Sequence, residues 1–132
     1  MRKLILTLAL ALACTLPTAG FFSPALATPP VAVARSAKLR LHPNPIGAGE
    51  VLKITGNVDG GCAKGDEVIL YSRAFPHKSD FAGVPAVTTK VRSHGRFTKH
   101  VRIPSSKDPG KYSVGGRCGG GNFAHKTLRV VG

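Results

Sequence analysis

Apolar and polar side chains alternate every second residue through most of this chain, and glycine and proline interrupt the alternation at short intervals. In residues 50–58, Leu52 and Ile54 alternate with Lys53 and Thr55. In 86–92, Val87, Thr89 and Val91 alternate with Thr88, Lys90 and Arg92. In 96–103, Phe97, Val101 and Ile103 oppose Thr98, His100 and Arg102. A period of two belongs to an extended strand that turns one face to a core. No segment carries the capped 3.6-residue period of a helix.

The pattern predicts seven strands, at 37–42, 50–58, 67–72, 86–92, 96–103, 111–116 and 123–131. Val68-Ile69-Leu70-Tyr71 is a continuous apolar run, which predicts a central strand covered on both sides. Lys99 falls on the apolar side of its strand and predicts a bulge or an edge position there. Ser93-His94-Gly95 reads as a hairpin turn. The longer loop at 73–85 carries Phe75, Phe81 and Pro85, expected to cover one end of the fold. Seven short strands separated by Gly/Pro turns predict an all-β fold, a seven-stranded antiparallel sandwich.

The first 27 residues have another character. Arg2 and Lys3 precede an apolar stretch at 4–13, and Ala25-Leu26-Ala27 is a small-x-small site. That layout predicts a secretory signal peptide at 1–27. A linker at 28–36 and one domain at 37–132 follow. The apolar stretch is shorter than the ~20 residues of a spanning helix, so no transmembrane segment is expected in the mature chain. Ala11-Leu12-Ala13-Cys14 loosely resembles a lipobox and leaves a second option, lipidation of Cys14. Either way the expected place is outside the cell or at its envelope.

Removing Cys14 with the leader leaves Cys62 and Cys118. Two lone cysteines in an exported chain pair most simply with each other. The predicted bridge joins the loop after the second strand to the glycine-rich loop at 117–122, at one end of the domain.

Gly49-Glu50-Val51-Leu52-Lys53-Ile54-Thr55-Gly56, a Gly-Cys loop, Gly95-Arg96-Phe97, Ile103-Pro104 and Pro109-Gly110-Lys111-Tyr112-Ser113-Val114 follow one another in order. That succession resembles small secreted immunoglobulin-like domains of actinomycete-type bacteria. The resemblance implies a non-catalytic immunoglobulin-like sandwich at the cell surface. The chain departs from antibody-type domains: it has no Trp, and Tyr112 lies six residues before Cys118 instead of two.

Catalytic and metal constellations do not assemble in the sequence. His42, His77, His94, His100 and His125 show no ligand spacing. Gly119-Gly120-Gly121 lacks the Lys-Ser/Thr of a phosphate loop. Asp66 and Glu67 are adjacent and would point to opposite faces of a strand. The expectation is therefore no enzyme, no metal and no cofactor.

Charge carries the sharper reading. The chain has 19 Lys+Arg against 6 Asp+Glu. Loss of Arg2 and Lys3 leaves 17 against 6, a net charge of +11. With the first, second, fourth and fifth strands in one sheet, its outer face would gather Lys38, Arg40, Lys53, Lys90, Arg92, His100 and Arg102, with His42 beside them and no acid. Such a face suits an anionic envelope polymer or polysaccharide. It lacks aromatics to stack bases, which argues against nucleic acid. The alternative is a structural or protein-binding module whose charge serves solubility. A second candidate surface is the disulfide-tied end, where Lys64, His94, Arg117 and Asn122 would offer donors.

Overall fold

The computed structural model describes residues 38–58, 62–123 and 125–132. The leader at 1–27, Cys14 and the linker at 28–36 lie outside these residues. Ten strands follow in chain order: β1 (Lys38–His42), β2 (Ile46–Gly47), β3 (Val51–Asn57), β4 (Glu67–Tyr71), β5 (Asp80–Phe81), β6 (Val84–Lys90), β7 (Arg96–Arg102), β8 (Gly110–Cys118), β9 (Gly121–Asn122) and β10 (Lys126–Val131). There is no α-helix among the described residues. No helix there is long and apolar enough to cross a membrane.

Three strands form one sheet, in the order β1-β3-β7. The others form a larger sheet in the order β2-β10-β8-β4-β6-β5, with β9 paired to β8. Both sheets feed one core. Leu39, Leu52, Ile54, Phe97 and Val101 enter it from the small sheet, and Val68, Leu70, Val114, Leu128 and Val130 from the large one. Burying each such side chain contributes ~1.5–3 kcal/mol.

Between the two sheets, aromatic rings meet. Phe97 and Phe123 stack at 5.8 Å, their planes 18° apart. Gly56 is the register partner of Phe97, and a Cβ on Gly56 would stand 2.2 Å from Phe97 Cζ. A Cβ on Gly116 would stand 2.5 Å from Phe123 Cδ2. Each sheet thus leaves out one side chain so that a ring can lie against its backbone. Cys118, buried at the end of β8 and part of the same core, joins Cys62 in a disulfide.

The segment after β1 is fastened to β10. Asn44 donates from Nδ2 to the Thr127 carbonyl at 2.9 Å, and its Oδ1 accepts from Arg129 N–H at 2.9 Å. The amide thereby covers a stretch of sheet edge, and β2 then pairs with β10 in parallel.

The structure corrects several expectations. All seven predicted strands form, but β2, β5 and β9 join them, and the β2–β10 pair is parallel. The fourth predicted strand, β6, leaves the small sheet and pairs with β4. The Ser93–Gly95 turn therefore carries the chain from one sheet to the other and closes no hairpin. Register between β3 and β7 is continuous through Lys99; β7 is an edge, without a bulge. The disulfide runs from a loop to the end of a strand, because β8 extends through Arg117 to Cys118. β4 is central, yet its outer side is only partly covered: Ile69 and Tyr71 are half-exposed and Glu67 is exposed. Phe75 fills the core as expected. Phe81 does not cover the end of the fold; it lies against Tyr71, with Arg117 over its ring.

Gly56→Ala should lower unfolding free energy by ~1–3 kcal/mol through overpacking. Phe97→Leu in the same chain should recover part of that loss, because the clash is with the ring. Urea denaturation of the single and double variants measures both. Replacing Cys62 and Cys118 together by Ser should cost ~2–4 kcal/mol on the same assay, as a loop of this length is released in the unfolded chain.

Candidate functional site

The outer face of the small sheet is built by alternation and register together. Leu39, Leu52, Ile54, Phe97 and Val101 point into the core, so their neighbours point out. Across the three strands, Lys38 aligns with Asn57 and Arg96, and Arg40 with Thr55 and Thr98. His42 aligns with Lys53 and His100, and Val51 with Arg102. Successive outward rows stand ~6.7 Å apart and neighbouring strands ~4.8 Å apart. Seven basic or imidazole side chains, Lys38, Arg40, His42, Lys53, Arg96, His100 and Arg102, thus share a patch about 10 Å by 20 Å.

No acidic side chain among the described residues stands in these rows. The acid nearest in sequence is Glu50, and its carboxylate accepts from Gly47 N–H at 2.7 Å. Lys38, Arg40, His42, Lys53, Arg96, His100 and Arg102 are all exposed. Arg102 is partly committed, since its Nη1 donates to the Gly49 carbonyl at 2.7 Å. Two shallow hollows open on this face. One, of about 340 Å³, is lined by Lys38, Arg40, Asn57 and Arg96. The other, of about 460 Å³, is lined by Arg40, His42, Lys53 and Lys126.

Positive charge continues around the β7 edge. A cleft of about 720 Å³ is lined there by Lys78, Lys99, His100 and Arg102, with Val87 and Pro104 among its apolar surfaces. This explains the intrusive Lys99. It emerges from the core side of an edge strand into an open cleft, where its stem packs and its ammonium reaches water.

Five of the seven residues expected on this face from sequence are therefore together: Lys38, Arg40, Lys53, His100 and Arg102. Lys90 and Arg92 are not among them. Lys90 stands on the large sheet as the register partner of Glu67. Arg92 lies in the crossover before β7, its backbone N–H donating to Arg96 O at 2.6 Å. Arg96 joins the face without having been expected there, although the alternation that points Thr98, His100 and Arg102 outward places it with them.

The disulfide-tied end is gathered by backbone. Val58 N–H donates to Gly95 O, and Gly65 N–H to Val91 O, both at 2.9 Å. Gly95 has φ +68°, and a Cβ there would stand 2.4 Å from Val58 O, so this approach needs glycine. Lys64, His94 and Asn122 are exposed around it. Arg117 is drawn onto the large sheet instead, 5.1 Å over Phe81. Asp66 lies near both cysteine sulfurs, but its Oδ2 accepts from Ala63 N–H at 2.8 Å, and sulfurs bonded to each other offer no thiolate to a metal.

No family model matches the chain, and no curated protein sequence does. Among solved structures it is similar to the alkylpurine DNA glycosylase AlkC of Pseudomonas fluorescens, at 13% identity over 75% of this chain and 31% of that one, with a TM-score of 0.47. It is similar to the sporulation control protein Spo0M of Bacillus subtilis, at 19% identity over 75% of this chain and 50% of that one, with a TM-score of 0.46. It is also similar to a superoxide reductase (neelaredoxin) from Ignicoccus hospitalis, at 13% identity over 75% of this chain and 83% of that one, with a TM-score of 0.45. The chain thus spans about a third and a half of the first two. At scores below 0.5, these likenesses carry no argument about the site.

Arg40→Ala and Lys53→Ala should change unfolding free energy by no more than ~0.5 kcal/mol, as solvated surface positions do. Arg102→Ala should cost ~0.5–1.5 kcal/mol, because it removes the donor to the Gly49 carbonyl. Denaturation midpoints of the three variants test the separation between charge that is free to bind and charge that holds the fold.

Proposed function

We propose that this chain is a secreted, non-catalytic, immunoglobulin-like binding module that acts at the cell envelope on an anionic polymer. The observation that carries the proposal is the acid-free row structure of the small sheet's outer face. Several cations of one sign on a rigid, flat surface raise the local concentration of a polyanion and hold it at many weak points. The apolar stretch at 4–13 and the small-x-small site at 25–27 support export.

Two features support the immunoglobulin-like reading. The order β1-β3-β7 facing β10-β8-β4-β6, with crossovers between sheets, suits a Greek-key sandwich. Tyr112, near the start of β8, donates its hydroxyl to the Asp108 carbonyl at 2.8 Å, as a tyrosine corner does. The non-catalytic reading rests on side chains already committed elsewhere. Ser72 is buried, with its Oγ accepting from Ala74 N–H, and the Asp66 carboxylate holds its own loop.

Retention of the purified protein on teichoic acid and on an acidic polysaccharide, over a salt series, tests the proposal. Engagement of the five Lys and Arg of the face predicts a log K against log salt slope of about −3.5 to −4.5, or roughly 100- to 500-fold weaker binding at 200 mM than at 50 mM salt. Arg40→Glu with Lys53→Glu should flatten that slope by ~2, one for each cation taken away from the polymer. Lys90→Ala should leave it unchanged. Salt-independent retention would overturn this site in favour of the disulfide-tied loops, and absence of binding would leave the charge as an aid to solubility.

A further inference from the structure

The outer face of the large sheet carries a site of a different kind. Tyr71 leaves β4 on that face, aligned with Gly115 of β8. A Cβ on Gly115 would stand 2.6 Å from Tyr71 Cε2 and 2.6 Å from His125 Cδ2. The missing side chain is what lets both rings settle against the sheet. Phe81 lies beside Tyr71 at 5.6 Å with a 30° tilt, and Arg117 stands over Phe81 at 5.1 Å. His125 meets Tyr71 edge to face at 6.0 Å, its Nε2 3.3 Å from the tyrosine hydroxyl.

Tyr71 is therefore fixed on several sides, yet it is still half-exposed. It lines a cleft of about 360 Å³ together with Arg73, Lys111, Ser113 and His125. The volume lies at the small end of the ~300–1,000 Å³ range of ligand clefts. Arg73, Lys111, Ser113 and His125 are exposed, and no residue lining the cleft is acidic.

These parts match one chemistry. A tyrosine held by its neighbours supplies contact area at little cost in conformational entropy, and the part of its ring that lines the cleft offers apolar contact to the C–H side of a sugar ring. The tyrosine hydroxyl, the Ser113 hydroxyl and the imidazole can exchange hydrogen bonds with ring hydroxyls. Arg73 and Lys111 supply charge-assisted hydrogen bonds to a carboxylate. A nucleic-acid strand fits less well, because it needs a succession of stacking platforms along a groove. Here the flanks of the tyrosine are already taken by Phe81 and His125.

We infer that this cleft binds a single carboxylated sugar unit, such as a uronic acid within a polysaccharide. The inference stands on the geometry of the large sheet and does not rest on the reading of the basic face.

The chain has 2 Tyr and no Trp, and both tyrosines, Tyr71 and Tyr112, line the cleft. Intrinsic tyrosine emission therefore reports on it directly. Titration of the purified protein with oligogalacturonate should give a saturable change. A neutral gluco-oligosaccharide of equal length should bind at least about tenfold more weakly, since it lacks the partner for Arg73 and Lys111. Lys111→Ala should reduce that preference to about threefold or less. Tyr71→Ala, followed by calorimetry because it removes a reporter, should weaken uronate binding by about tenfold or more. His125→Ala, at an exposed position, should weaken it less and keeps the test open if Tyr71→Ala misfolds. Lys90→Ala, at a position that lines neither the cleft nor the basic face, should leave it unchanged. Equal response to acidic and neutral sugars, no response at millimolar sugar, insensitivity to the Lys111 and His125 variants, or tighter binding of oligothymidylate would each overturn the inference.

Discussion

The stacking of Phe97 on Phe123 sets the geometry on which the rest of the structure depends. The two rings fit only because Gly56 and Gly116 leave room against the backbone of opposite sheets. In a domain of this size the core is small, and two aromatic rings are a large share of the apolar surface it removes from water. The disulfide adds to this, with Cys118 a member of the same core as the rings. It restrains the unfolded chain while the rings stabilise the folded one, so the two contributions act on different states at one end of the molecule.

That packing also fixes what each sheet presents to solvent. With side chains alternating strictly along β1, β3 and β7, commitment of Leu39, Leu52, Ile54, Phe97 and Val101 to the core leaves their neighbours no other direction. A slip of one residue would bury the charged rows and expose the apolar ones, so the basic face and the core are one specification. On the large sheet the same rule operates with glycine in an outward position. Gly115 removes a side chain from the outer face, and Tyr71 and His125 occupy the space. One sheet thus presents exposed charge on long stems, and the other presents rings held by their neighbours.

Much of this is legible from alternation alone. The seven longer strands and the inward residues of β3, β6 and β7 follow from a period of two, and the Cys62–Cys118 pairing follows from parity. Alternation says which way a residue points but not to which sheet its strand belongs. That is why it groups Lys90 and Arg92 with Lys38 and Arg40. β6 is distinguished from a small-sheet strand by its pairing with β4, an interaction between segments with no local signature. β2, β5 and β9 have two residues each, too few to establish a period. Arg96 differs from these cases, since its place follows from its own strand. The Tyr71 cleft is hidden because Val68-Ile69-Leu70-Tyr71 reads as an uninterrupted apolar run, and half-burial by aromatic neighbours looks the same in sequence as burial by a second layer.

The two proposed surfaces would use different physics of recognition. Exposed lysines and arginines act over a distance of about a Debye length, ~8–10 Å in ordinary salt, and distinguish little beyond sign and charge density. A fixed ring with hydroxyl and imidazole at its edge acts only at close range and responds to the shape of what it touches. Net positive charge helps both, by drawing anionic chains towards the molecule. Of the two, the second mode is the better suited to separate one anionic polymer from another, because the rows of the small sheet offer no Phe, Tyr or Trp ring. On the two proposals, selectivity among anionic ligands would arise where the backbone has made room for a ring, at Gly115, and not where charge is densest.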